Sequence, residues 1–314
     1  MTVSSNIKIL GKLKSEKKLF IFLAWCVLFL SILISKKISR HANDGLALCA
    51  NTVIASVFPF LILTDLILNT SGLENIKKLR CIFERIFKIN GYAINAFIIG
   101  ITCGFPTGVK VAAELYKSEK ISKDECERLI GFANNTGPAF IISGIGMGMR
   151  QSMSDGIILY VSMLLSAIAC GAVFGIGKSY KKAPAENNVK AYDFSSSVKG
   201  AAHNTLGICG FVVLFSIITG ILSDFIKSDI ALSFISPFIE ITNSARILSK
   251  TSFKYEALSI ILTSFAISFS GLSVHLQAYS FLSDTKLSMK KYYVMKLVQG
   301  FISSFITVII LFIM

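Results

Sequence analysis

Apolar runs separated by short polar stretches make up most of this chain. Leu46 to Leu68, Leu206 to Ile226 and Tyr293 to Ile313 are each long enough, at about 1.5 Å per residue, to cross a hydrocarbon core of about 30 Å. Further spans are expected near 126–148 and 157–177. Pro59, inside VFPFLI, predicts a kink, and Asp65 either snorkels toward headgroups or is functional. Leu19 to Ile34 follows a basic start, with no small-residue cleavage site, and reads as an uncleaved anchor whose N-terminus is cytoplasmic. Residues 73–90 differ from all of these. Ile76, Leu79, Phe83, Ile86 and Phe87 fall on one helical face and charges fill the rest, which predicts an amphipathic helix lying in the cytoplasmic interface.

Two polar clusters interrupt the pattern. Gly104, Phe105, Pro106, Thr107 and Gly108 follow the apolar run Ala93 to Cys103, and Asn134 to Pro138 precede the apolar run Ala139 to Met149. Proline lacks an amide donor and glycine gains too much freedom, so each cluster breaks a helix. In hydrocarbon, such a break survives only where it is buried in protein or lines a wet cavity. Loops at the membrane surfaces are the plainer alternative, although neither cluster carries the charges of an exposed loop. Gly91 to Lys117 has arms too short to cross alone, so a re-entrant hairpin turning at Gly104–Gly108 fits, with two flattened spans as the alternative.

A polar linker, 178–199, divides the chain into a basic segment and anchor (1–44), a first repeat (45–177) and a second repeat (200–314). In the second half Asp229 to Ser249 is a shorter mixed segment, and Ser270-Gly271-Leu272-Ser273 is a second break after Glu256 to Phe269. Laying Gly104 on Ser270 also matches Thr107 with Ser273 and Ala112 with Ala278. The expected fold is an all-α polytopic membrane protein of two structural repeats, each with an interfacial helix, a re-entrant helical hairpin and transmembrane helices. Paired interruptions in two halves are the mark of repeat-built transporters, with the site where the breaks meet.

Composition agrees. The 314 residues are 53% hydrophobic and 16% charged, and mean hydropathy is +0.67, too apolar for a soluble domain. The formal charge of +14 sits in short segments between apolar runs, as the positive-inside rule predicts, and argues against a nucleic-acid partner. Basic segments at 70–90 and 178–200, if both cytoplasmic, require an even number of crossings between them. The seven cysteines are scattered without a CxxC or Cys/His cluster, so neither metal nor disulfides are indicated. No nucleophile–base pair, P-loop or cofactor motif stands out, which makes an intramembrane enzyme a distant third function class.

The candidate binding residues follow from the breaks. Gly104 and Gly108 permit close backbone approach and Thr107 adds a hydroxyl. Lys110 either faces an anionic ligand or pairs with Glu114 one turn on. Asn134, Asn135 and Thr136 could read a neutral polar ligand, coordinate sodium, or simply cap the helix at Ala139. Ser270, Gly271, Ser273, His275 and Gln277 are the counterparts in the second half, with packing the alternative role for the histidine. Glu114, Glu240 and Asn243 are candidates for a coupling ion, unless Glu240 faces water at the interface.

At GFPTGVKVAAELY, ECERLIGFANNTGPAFIISGIGMGM and FSGLSVHLQAYSFL, the chain resembles the sporulation integral membrane protein YlbJ family, within the wider nucleoside-recognition or Gate-domain group. The resemblance runs from about Gly45 to the end. It implies a cell-membrane protein of a spore-former, in the mother-cell or forespore membrane, serving spore cortex formation. The hairpin plan is also similar to concentrative nucleoside transporters, but their acidic hairpin tips are missing here, so nucleoside specificity does not carry over. Two functions follow: a permease for a polar small molecule, or a non-transporting scaffold for spore-envelope proteins. A homo-oligomer is compatible with either.

Overall fold

The computed structural model describes residues 21–22, 25–26, 28–69, 76–180 and 194–314. Residues 1–18, the middle of the linker and the side chain of Asp65 lie outside the described residues. All regular structure among the described residues is helical. Met153–Gly175, Phe194–Phe225, Glu256–Leu282 and Lys290–Ile313 have the length and apolarity to cross a membrane.

Helix α1 (Ser35–Leu48) passes through a π-helical turn, Cys49–Val53, into α2 (Ile54–Asn69), which carries Pro59. The amphipathic α3 (Lys77–Phe87) is where the sequence predicts it. Its face divides, however. Phe83 and Phe87 are buried against Phe97, with Phe87 also on Phe132, while Ile76, Leu79 and Ile86 stay exposed. The end of α3 is held by Arg128, whose guanidinium donates to the carbonyls of Phe87 (2.9 Å) and Lys88 (2.7 Å). Those are the acceptors a helix end leaves unpaired.

Next, α4 (Ile94–Thr102) and α5 (Thr107–Lys117) pack against each other across a turn at Cys103–Pro106, whose Phe105–Pro106 peptide is cis. Gly100 and Gly108 let them close onto the end of α6 (Lys123–Ala133): a Cβ on either glycine would stand 1.8 or 2.1 Å from the Ala133 carbonyl oxygen. Helix α6 starts with a capping box between Ser122 and Glu125 and ends at Asn134–Pro138. A π-helix, Ala139–Met149, and α7 (Met153–Gly175) follow.

After the linker come α8 (Phe194–Phe225), α9 (Asp229–Ile239), α10 (Ile241–Lys250), α11 (Glu256–Phe269), α12 (Gly271–Leu282) and α13 (Lys290–Ile313). Asp229 to Ser249 forms two short helices. Helices α9 and α10 pack against each other across the single residue Glu240. Conversely, α11 and α12 do not pack along each other at Ser270–Ser273; together they have the length of one interrupted span. A turn between two short packed helices, as at Gly104, is therefore found at Glu240 and not at Ser270. Glycine and proline mark the turn at Gly104. At Glu240 an extended backbone (φ −154°, ψ 131°) makes the turn with no glycine to advertise it.

Contacts sort the loops into two ends. At the linker end Gly175 packs on the Phe87 backbone, Tyr180 donates to Glu84 (3.2 Å), and Lys291 pairs with Asp124 (2.6 Å). At the other end Arg150 donates to Ser259 (2.8 Å), Ser259 to the Leu248 carbonyl (2.7 Å), and Lys37 pairs with Asp224 (3.1 Å). The two halves are interlocked, since α13 packs along α7 and α6, and α8 along α1 and α2.

Candidate binding site

Each paired-helix turn sits on one of the breaks. A Cβ on Gly104 (φ +85°) would stand 2.8 Å from the Gly137 nitrogen, and one on Gly271 (φ +67°) 3.2 Å from the Glu240 nitrogen. The two breaks touch as well: the Thr136 hydroxyl donates to the Ile267 carbonyl (2.8 Å) near the end of α11, which also accepts a longer bond from Ser270 Oγ (3.3 Å). Four interruptions from two halves thus meet by close packing, and one hydrogen bond, from Thr136 to Ile267, joins the two broken helices.

The first break is held from the last helix. Nζ of Lys296, fully buried, donates to the Asn134 carbonyl (2.8 Å) and to Oε1 of Gln299 (2.9 Å). Nε2 of Gln299 donates to Oδ1 of Asn135 (2.8 Å), whose Nδ2 donates to the Phe132 carbonyl (2.6 Å). Nδ2 of Asn134 donates to the Tyr292 hydroxyl (2.9 Å), while its Oδ1 is buried without a partner. The asparagine side chains do not cap the following helix, whose N-cap Pro138 has no side-chain bond; they bind a helix far along the chain. Lys296, Gln299 and Tyr292 are absent from the sequence-derived site. The available signal is Lys296 and Gln299 three apart inside an apolar run, where a charge demands partners.

The second break is served locally. Nε2–H of His275 donates to the Phe269 carbonyl (2.8 Å), and the ring meets Phe269 and Tyr292 edge-on. Ser273 is buried and accepts a long bond from Gln277 Nε2 (3.4 Å). At the turn before α10, Glu240 is 1% exposed, so it does not face water. Its carboxylate caps α10, accepting from the Thr242 and Asn243 amides (2.8 and 2.7 Å) and from Nδ2 of Asn243 (2.9 Å).

Between these groups lies a cavity of about 50 Å³, bordered by Gly104, Thr136, Gly137, Glu240 and Gln277 and walled by Val53, Val57, Ile208 and Val212. Oε1 of Gln277 is buried beside it without a partner. The space suits a few waters or one small ion. Thr107 is buried near the turn, its hydroxyl donating to the Gly104 carbonyl, and Gly108 is spent on helix packing. Lys110 is half-buried and Glu114 exposed, and neither lines this cavity. A second cavity, about 320 Å³, opens at the end opposite the linker between α1, α8 and α10, and Asn243 lines it.

Apolar helices of span length around a polar centre built from interrupted helices define a multi-pass helical membrane protein. The chain is similar to the sporulation integral membrane protein YlbJ of Bacillus subtilis (strain 168), 28% identical over 306 residues and covering 82% of this chain and 74% of that protein. That breadth supports membership of the YlbJ family. No family model and no solved structure matches the chain.

Proposed function

We propose that this protein acts in sporulation as a permease-like carrier of a polar small molecule, in the making of the spore cortex. The sporulation role rests on the name of the Bacillus subtilis relative and on the three motifs. The carrier role rests on one observation, the meeting of two paired-helix turns and two broken helices at one cavity, whose largely apolar wall carries Thr136, Glu240 and Gln277. In this reading the halves form an inverted repeat. Helices α4–α5 are a re-entrant hairpin entering from the linker end, and α9–α10 one entering from the other. The opposed ends of the two broken spans support it: Asp124 and Ser288 lie by the linker end, Arg150 and Ser259 at the far one. Such a plan serves alternating access around a fixed central site.

At about 50 Å³ the central cavity is far below the roughly 300 Å³ of an ordinary ligand pocket. Transport therefore requires one hairpin to withdraw. The same small volume favours the second function, a scaffold that keeps the fold without turnover. Proteoliposomes with and without the protein, offered a broad metabolite panel, separate the two. Equal flux throughout, with sporulation proteins co-purifying, would overturn the carrier. Asn135 and His275 are poor probes of function because both hold the fold. Gln277→Met is cleaner: its free Oε1 predicts lost sporulation at unchanged protein level.

A further inference from the structure

The larger cavity has a composition of its own. We infer that it is a binding site for an oxyanion, a phosphate or carboxylate group carried by a small molecule or by a lipid headgroup. It does not depend on whether the protein transports anything.

Two guanidinium groups from separate elements line the cavity, Arg40 on α1 and Arg246 on α10. One acid, Asp44, lines the cavity beside them, and a second, Asp224, is paired outside its lining. Asp224 pairs with Lys37 (3.1 Å) and lies 3.6 Å from His41 Nε2, and Asp44 lies 3.8 Å from His41 Nδ1. Both His41 distances are ion-pair range, too long for hydrogen bonds. Arg246 spends Nη2 on Oδ1 of Asn243 (3.0 Å), a neutral acceptor that fixes the side chain without cancelling its charge. No carboxylate pairs with either arginine among the described residues. Planar guanidinium groups match the two-oxygen geometry of carboxylate and phosphate, and two of them against the one carboxylate of Asp44 leave the lining with a positive excess.

The wall carries the second half of the evidence. Thr219, 3% exposed, presents a buried hydroxyl with no hydrogen-bond partner on the cavity lining. An unmatched hydroxyl at that depth is costly, so it points to something that arrives. Ser223 borders the same space, and its hydroxyl, donating to the Gly220 carbonyl (2.7 Å), still has lone pairs only. Thr219 Oγ1 and His41 Nε2 are thus the unpartnered buried atoms of the wall, and the arginines are the charge. At about 320 Å³ the space takes a small metabolite or a glycerophosphate headgroup, which the central cavity does not.

The test uses full-length protein in a neutral detergent and low-salt, phosphate-free buffer, since screening weakens exposed charges. Inorganic phosphate should raise the melting temperature of wild type, and its apparent affinity should fall at least about tenfold in Arg40→Gln and Arg246→Gln, less in Thr219→Val. Lys250→Gln, which removes a nearby charge that does not line the cavity, should bind as wild type does. If phosphate has no effect but native mass spectrometry finds phosphatidylglycerol, not phosphatidylcholine, retained by wild type and lost in the arginine variants, the site takes a headgroup. Arg40 is exposed, so Arg40→Gln should fold even if Arg246→Gln does not. Binding of neither probe, or equal binding by wild type and both arginine variants, overturns the site.

Discussion

The two helix breaks perform one task by opposite means. At Asn134–Pro138 the backbone is irregular over several residues, and its polar groups are matched by Lys296, Gln299 and Tyr292, more than a hundred positions along the chain. At Ser270–Gly271 two consecutive residues with positive φ make the interruption, and the preceding Phe269 carbonyl is matched six positions away by His275. A break served from a distance ties the halves together. One served locally leaves its helices free of that obligation. Thr136, reaching the Ile267 carbonyl, makes the direct hydrogen bond between the breaks among the described residues, and Tyr292 links them a second time by holding Asn134 and meeting the His275 ring.

The largest test of this contrast is steric. Gly108→Ala would drive a Cβ to 2.1 Å from the Ala133 carbonyl, an atom fixed by the first break, and should cost about 3 kcal/mol or more. Gly271→Ala meets Glu240 at 3.2 Å, with strain at φ +67°, and should cost about 1–2 kcal/mol. Gly210→Ala, with nothing within 4 Å, is the control, whereas Gly175 is not the ordinary span glycine its sequence context suggests, since Phe87 backbone lies 2.7 Å from its missing Cβ. Thermal melts in detergent rank the three; equal melting of Gly108→Ala and Gly210→Ala would remove the contrast.

Next in size is Lys296→Met. It strips the donor from the Asn134 carbonyl and from Gln299 together, about 2–4 kcal/mol. His275→Ala strips one carbonyl, about 1–2 kcal/mol. If the histidine change proves the more damaging, the local break is the one that matters. Thr136→Val removes the bond between the breaks and should cost about 1–1.5 kcal/mol, with a double-mutant cycle against Lys296→Met returning a coupling of at least about 0.5 kcal/mol. Additivity there would mean the breaks are energetically separate. The smallest effect is Ser122→Ala, about 1 kcal/mol from the capping box of α6. Helix α11 begins at Tyr255 with no side-chain cap, so Tyr255→Ala should leave stability nearly unchanged.

Helices and the first break are legible in the sequence because apolar length, glycine and proline act locally. GFPTG and NNTGP announce themselves, and so does the amphipathic period of α3. The turn at Glu240 does not: its mark is a lone carboxylate after Pro237, which reads as a mixed segment because a cap and a charge look alike without neighbours. Ser270-Gly271 reads as a turn because glycine and serine favour one, yet helix α12 resumes at once. Lys296 is hidden for a different reason. Its partners are a backbone carbonyl and an amide, neither of which leaves a complementary charge in the sequence.

The reach of Lys296 also sets an order in time. A ribosome finishes Asn134–Pro138 long before it makes Tyr292, Lys296 and Gln299, so during synthesis the first break exists without its donors. Until α13 inserts, that segment must be sheltered by the insertion machinery or by water, because lipid offers its carbonyls nothing. The last helix therefore acts as a keystone, and a chain that stalls before it presents an unfinished polar seam that quality control can read.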